Sequence, residues 1–336
     1  MRSQIETPTD SHIVRYEPAV ATAIAQMDVF WPAEELGVEC DIPHFKTLLN
    51  QGESYAVRYF QSLLTKYETF IGGQDLWANE IPTLFPRPEI QRACSVISMV
   101  ENHSHAPFYA LADQAMGNAT DEFYSKWRND PVLTGNINYI LSLVKQKDAL
   151  VTTAVLAMLE GVNLFSILGF FKCFNTRGFN LIPHFVSGID ASAKDENFHS
   201  MFSSYLHNQC KLERNLTVEE EATLASVIEG IYVAMLAHEH AIINHVFDYS
   251  DSLPPDQRIR VCKRKDIIDF SYSRASTVMN YLGHPMPVVE STIADDFYTN
   301  LNSFKYSDFF ATTQVQYRRN YAMYKIGYNP KAREML

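Results

Sequence analysis

The chain has 336 residues, 46% apolar and 20% charged, an ordinary globular composition that suits one large or two medium domains. A formal net charge of −11 argues against nucleic-acid binding by the bulk of the chain. Five scattered cysteines (Cys40, Cys94, Cys173, Cys210, Cys262) without a CxxC pair, and an N-terminus (MRSQIETPTDSHIV) without an apolar signal core, predict a reducing, cytoplasmic setting.

Taken in chain order, long stretches carry helical periodicity and few carry strand alternation. Residues 44–71 place apolar groups at three- and four-residue spacing, and 88–115 open on Pro88-Glu89, a good first-turn pair. Helix is also predicted over 134–174, as one element or two, and over 185–211. Thr217-Val-Glu-Glu220 is a capping-box pattern that opens a helix to about 249, and SLPPDQ turns the chain into another over 256–282. No NG or DG hairpin signal appears. The polar, tyrosine-rich end reads as a tail, at least partly mobile, which divides the chain into a helical domain, 1–305, and a tail, 306–336.

Residues 149–171 (ALVTTAVLAMLEGVNLFSILGFF) carry a single charged residue, Glu160, near their centre. The run is long enough to span a bilayer, but a central carboxylate disfavours insertion. A helix buried on all sides within a helical bundle is the better reading, with no membrane role. A lone buried carboxylate then needs a partner, a proton or a metal.

Two other helices offer suitable groups. Glu196 and His199 are three apart, and Glu101 and His105 four apart, so each pair lies on one helical face. Each pair alone is equally a plain polar face. Together with Glu160 they give three carboxylates and two histidines on three helices, one acid short of a four-helix dimetal site. Glu68, Asp75 and Glu80 are candidates for the missing acid, and the donor set favours iron or manganese. A rival cluster, His238, Glu239, His240 and His245, has its first two histidines on different helical faces and reads as surface.

These residues resemble the small, radical-generating subunit of class I ribonucleotide reductase, over about 28–320. The resemblance is carried by Phe30-Trp31 with Glu34-Glu35, by His105-Ala-Pro-Phe-Tyr109, by Asp195-Glu-Asn-Phe-His199, and by Asp308-Phe-Phe310 followed by Tyr317. It implies an all-α, ferritin-like bundle of about eight long helices with a dimetal-carboxylate core and a flexible C-terminal tail. It implies metal ligands Asp75, Glu101, His105, Glu160, Glu196 and His199, binding two ions per chain, iron and/or manganese. Tyr109 is then the radical residue, Trp31, Asp195 and His105 the relay, and Tyr317 the link to the partner, with Tyr321, Tyr324 and Tyr328 as further tail tyrosines. The implied assembly is a homodimer that partners a separate large subunit, where ribonucleotides are reduced.

The sequence departs from the family in places. Its first pair is spaced Glu101-Asn-His-Ser-His105, one residue longer than Glu-x-x-His. A π-bulge would absorb the extra residue; other registers use Asn102 or His103, and one places Phe108 where the radical tyrosine belongs. The stretch GQDLWANEI resembles the family's Asp-containing helix, with a shorter loop after it. Two alternatives stay open: a dimetal oxidase or oxygenase acting on its own substrate, and a metal-free helical scaffold.

Overall fold

In a computed structural model of the chain, which describes residues 3–68 and 75–303, every regular element is helical. Nine rods of twelve or more residues occur among the described residues. They are α1 (Glu17–Asp28), α2 (Gln51–Glu68), α3 (Pro88–Val100, a π turn Glu101–His105, and Ala106–Met116), α4 (Pro131–Val144), α5 (Ala149–Met158, a π turn Leu159–Asn163, and Leu164–Lys172), α6 (Pro183–Arg214), α7 (Val218–Ser252), α8 (Arg264–Tyr281) and α9 (Thr292–Ser303). The stretch 134–174 is thus two rods, α4 and α5. The predicted helix from residue 44 is a short π turn, His44–Leu48, then a break before α2.

Local chemistry fixes where the rods begin and end. The Asp130 carboxylate accepts from the Val132 and Leu133 amides ahead of α4, and the Asp148 carboxylate does the same for Leu150 and Val151 at α5. Thr217 and Glu220 form the reciprocal capping box of α7.

The rod α5 is the axis of the fold. Every residue from Ala149 to Phe174 is buried, and α4, α6, α7 and α8 pack around it. Its 18-residue apolar window is long and apolar enough to cross a membrane, yet lies wholly inside the protein, whereas the comparable window of α7 is 39% buried. Each fully buried Leu or Phe contributes about 2 kcal/mol, so this run easily outweighs the cost of one embedded carboxylic acid. The two glycines that interrupt α5 mark close approaches. A Cβ on Gly169 would lie 2.4 Å from the Phe270 ring, and one on Gly161 would lie 2.4 Å from both Ser200 Oγ and Val278 Cγ2.

The histidines of α7 are half-buried and engaged separately: His240 Nε2 meets Ser271 Oγ at 3.0 Å, and His245 Nε2 meets the Tyr55 hydroxyl at 2.8 Å. Glu239 between them departs from the surface expectation. It points inward from α7, fully buried, near the Ser166 hydroxyl and Tyr67, and Tyr67 in turn accepts a hydrogen bond from Asn136. Its three polar neighbours in sequence, His238, His240 and Asn244, hide this in the one-letter pattern. Burial holds its carboxyl well above the usual range, only partly offset by Ser166.

An acid whose folded value is raised stabilises the fold least when its unfolded form is ionised. Glu239 should therefore subtract from stability as pH rises above the ordinary glutamate range, contributing a fall of about 1.4 kcal/mol per pH unit until its folded carboxyl ionises. Glu239→Gln removes this slope. Thermal melts of the metal-free protein should show the variant gaining on wild type by several degrees between pH 5 and pH 8; parallel curves would mean that Glu239 is solvated.

Candidate metal centre

Four helices deliver the candidate side chains to one internal point. Glu68 ends α2, Glu101 and His105 bracket the π turn of α3, Glu160 lies in the π turn of α5, and Glu196 and His199 sit on α6. All six are at most 2% exposed. They form two overlapping groups, Glu68, Glu101, His105 and Glu196, and Glu101, Glu160, Glu196 and His199, with the donor atoms of each group within 4.8 Å of one another.

The shared pair is split between the halves. Glu101 places Oε2 at 3.0 Å from His105 Nδ1 and Oε1 at 2.8 Å from His199 Nδ1. Glu196 does likewise, Oε1 at 3.0 Å from His105 Nδ1 and Oε2 at 3.2 Å from His199 Nδ1. Glu68 stands on the His105 side only, 3.5 Å from Nδ1, and Glu160 on the His199 side only, 3.8 Å from Nδ1. Two acids therefore face both imidazoles, and two are terminal.

The π turns make this possible. In the wider turn Glu101–His105, residues four apart come onto one face, so the extra residue in Glu101-Asn-His-Ser-His105 is absorbed and both side chains point inward. Asn102 and His103 are exposed, which removes both from the cluster.

Asp75 is not part of it. It is exposed, directly before the π turn Leu76–Glu80, whereas Glu68 at the end of α2 reaches the cluster. The physical reason is position: Glu68 is carried by α2, which packs against the second half of α3, while Asp75 lies directly before the π turn Leu76–Glu80. Glu80 is half-buried and outside both groups.

A metal fits the donor set. His105 Nε2 lies 3.0 Å from Asp195 Oδ2, a contact that suits a proton on Nε2, so that with a metal held here the Nδ1 lone pair would face the acids. Glu68 Oε1 and Glu160 Oε2 are buried without a hydrogen bond, while His105 Nδ1 and Glu101 Oε1 face only other members of the cluster. Electrostatics agree. Burial raises Glu160 well above its usual range, and the charges of Glu196 and Glu101 add to this; burial and the Glu101 charge raise Glu68 in the same way. Burial would also raise Glu101, but the two histidines more than offset it and hold the carboxyl well below its usual range. Burial alone would lower His199, but hydrogen bonds and charges from Glu101 and Glu196 push it up to about 9. Without cations this cluster is held together by protons.

Neighbouring groups brace the acids. The Trp77 indole N–H donates to Glu160 Oε1 at 2.6 Å, its ring edge-on to His199 at 6.0 Å. Tyr109 is fully buried, its hydroxyl 3.2 Å from Ser192 Oγ, which lies 3.5 Å from Glu196 Oε1. Phe108 points elsewhere, edge-on to Trp31 and stacked on Phe185. On the far side of His105, Asp195 Oδ2 also accepts the Trp31 indole N–H at 2.9 Å, and Oδ1 accepts from Gln26 Nε2 at 2.7 Å. Trp31 stacks on His105 at 5.5 Å. Trp77, Gln26 and Ser192 were not singled out by sequence. Trp77 alone had a signal, as a large aromatic inside the polar stretch GQDLWANEI. Tyr317, Tyr321, Tyr324, Tyr328 and the tail lie outside the described residues.

Comparison with known proteins agrees with this geometry. The dimanganese(II) NrdF of Streptococcus sanguinis superposes with a TM-score of 0.75 at 15% identity, covering 88% of this chain and 99% of that one. The ribonucleotide reductase R2 subunit from Clostridium botulinum gives 0.69 at 18% identity, covering 84% and 88%. These likenesses establish the ferritin-like fold. Comparison with curated proteins gives no match by sequence. Residues 13–287 match the family of the ribonucleotide reductase small chain. With that match over most of its length, the chain belongs to the small-chain family of ribonucleotide reductase, the radical-generating component of the enzyme.

Proposed function

We propose that Glu68, Glu101, His105, Glu160, Glu196 and His199 would hold two metal ions, with Glu101 and Glu196 facing both histidines, and that Tyr109 carries the radical. The observation that supports this most is the pair of overlapping four-residue groups that share two acids. Carboxylate and imidazole donors suit iron, manganese or one of each. Manganese is present in the structurally similar Streptococcus sanguinis protein, which keeps it a candidate here.

Metals held here would supply a one-electron oxidant for a phenol once dioxygen or a reduced oxygen species had oxidised them. The chain's own residues do the rest. Burial, then the Glu68 charge, hold the Tyr109 phenol well above its usual range, so it is neutral at rest and must lose a proton together with an electron. Ser192 Oγ, between the phenol and Glu196, offers that proton a path. The apolar Leu164, Phe165 and Leu168 on α5 are fully buried and exclude water from the surroundings. Asp195 joins His105 to Trp31 through one oxygen, so a charge leaving along this route moves between groups that are already hydrogen-bonded.

From Trp31 the route continues to Tyr317 in the tail, 306–336, and then to a cysteine of the large subunit. The chain acts as a cytoplasmic homodimer; the partly uncovered apolar window of α7 leaves surface for a second copy.

Three outcomes test this reading. Elemental analysis after loading should show Glu68→Ala and Glu160→Ala each losing at least half of the bound metal, with Asp75→Ala unchanged; the reverse pattern would restore Asp75 as the ligand. Electron paramagnetic resonance after activation should show a tyrosyl signal that Tyr109→Phe abolishes, and an unchanged signal moves the radical to another residue. Deletion of 310–336 should leave that signal intact while turnover with the large subunit falls at least 100-fold; retained turnover would remove the tail from the route.

A further inference from the structure

We propose that Arg274, on a helix that supplies none of the clustered acids or histidines, is a positioning residue for one half of the centre, the Glu160–His199 half. The inference rests on the dimetal reading above.

Arg274 is 1% exposed. A guanidinium so placed survives only where its donors are used and its charge is answered. Its Nε–H donates to the Gly161 carbonyl at 2.9 Å, its Nη2 lies 3.5 Å from Asn197 Oδ1, and its central carbon sits 3.7 Å from the centroid of the Phe165 ring. Each contact falls beside the candidate ligands. Gly161 follows Glu160 in the π turn of α5, Phe165 lies one turn further on, and Asn197 sits between Glu196 and His199 on α6. One planar cation thus links the backbone beside Glu160 on α5 to a side chain between Glu196 and His199 on α6. A π turn breaks the regular ladder of helix hydrogen bonds, so a fixed side-chain donor at Gly161 helps to hold its shape.

The approach is close enough to exclude a side chain. A Cβ on Gly161 would lie 2.4 Å from Ser200 Oγ on α6 and 2.4 Å from Val278 Cγ2, one turn beyond Arg274 on α8. Helices α5, α6 and α8 therefore meet at the π turn with no slack. The other half of the centre is braced by different groups: His105 is held by Asp195, which is held by Trp31 and Gln26. A lesion at Arg274 should accordingly fall on one half.

The experiment titrates Mn(II) into metal-free wild type, Arg274→Gln and Arg274→Lys, counting free ion by its paramagnetic resonance signal and following unfolding of each metal-free protein. Wild type is expected to bind two ions per chain. Arg274→Gln is expected to keep one at wild-type affinity and to bind the second at least tenfold more weakly. Arg274→Lys keeps the charge without the fork that reaches both helices; it should show the same one-sided loss, and it carries the test if the glutamine variant does not fold. Equal weakening of both ions alongside a lowered melting point would reduce Arg274 to a structural residue, and unchanged binding would refute the proposal outright. Wild type that binds no Mn(II) and no Fe(II) would instead bring down the dimetal reading itself, a result separate from any loss confined to the variants.

Discussion

Four carboxylates and two imidazoles share one water-free point, and that crowding of like charge governs the molecule. Two ionised carboxylates about 4 Å apart repel by about 4 kcal/mol even at an effective dielectric of 20. A cluster of four cannot stay fully ionised without cations. The directions in which its groups are pushed describe the cation-free solution: Glu68 and Glu160 held as neutral acids, Glu101 and Glu196 kept ionised, His105 and His199 protonated. Two negative charges then face two positive ones. Two divalent cations displacing the protons of those two acids and two imidazoles leave four negative charges facing four positive ones. On this count the clustered side chains and two divalent ions would carry no net charge into the apolar wall.

That wall explains why α5 reads as it does. Glu160 is tolerated because the other side chains around it bury apolar surface, and because the Trp77 indole takes one of its oxygens while the other stays free of hydrogen bonds. Gly161 and Gly169, which look like interruptions in the sequence, are where Ser200, Val278 and Phe270 need the space. The π turns belong to the same design. Those at Glu101–His105 and Leu159–Asn163 hold three of the clustered residues, and the one at Leu76–Glu80 holds Trp77. The wider turn takes up one extra residue, so a pair spaced by four can replace a pair spaced by three, at the cost of regular backbone bonding.

Much of this was legible in the sequence wherever the signal was local. A lone acid in an apolar run, a pair spaced by three and a pair spaced by four each advertise a helical face. The capping box at Thr217 announced α7. The choice between Glu68 and Asp75 was not local, because it depends on how α2 leans on α3. The rods α1 and α9 escaped for another reason: both are short, and α1 has weak segregation of apolar from polar residues. Glu239 was hidden by its polar neighbours, since the direction of a side chain on a 35-residue helix depends on which face the rest of the protein covers. Trp77 and Glu160 are 83 residues apart, and Gln26 and Asp195 are 169 apart. Such pairs leave no mark on spacing and exist only once the bundle has closed.

The two nitrogens of His105 give the site its direction. Nδ1 faces the acids, and Nε2 faces Asp195, whose other partners are Trp31 and Gln26. On the opposite half, His199 has no matching carboxylate behind it: its Nε2 is buried without a hydrogen bond, and Trp77 meets it only edge-on. A pair of nearly equivalent metal positions is therefore embedded in an unequal environment. One half opens through a hydrogen-bonded chain toward Trp31, while the other is closed by Trp77, Phe165 and the Arg274 clamp. The inequality comes from residues outside the six clustered side chains, Asp195, Trp31 and Gln26 on one side and Trp77, Phe165 and Arg274 on the other.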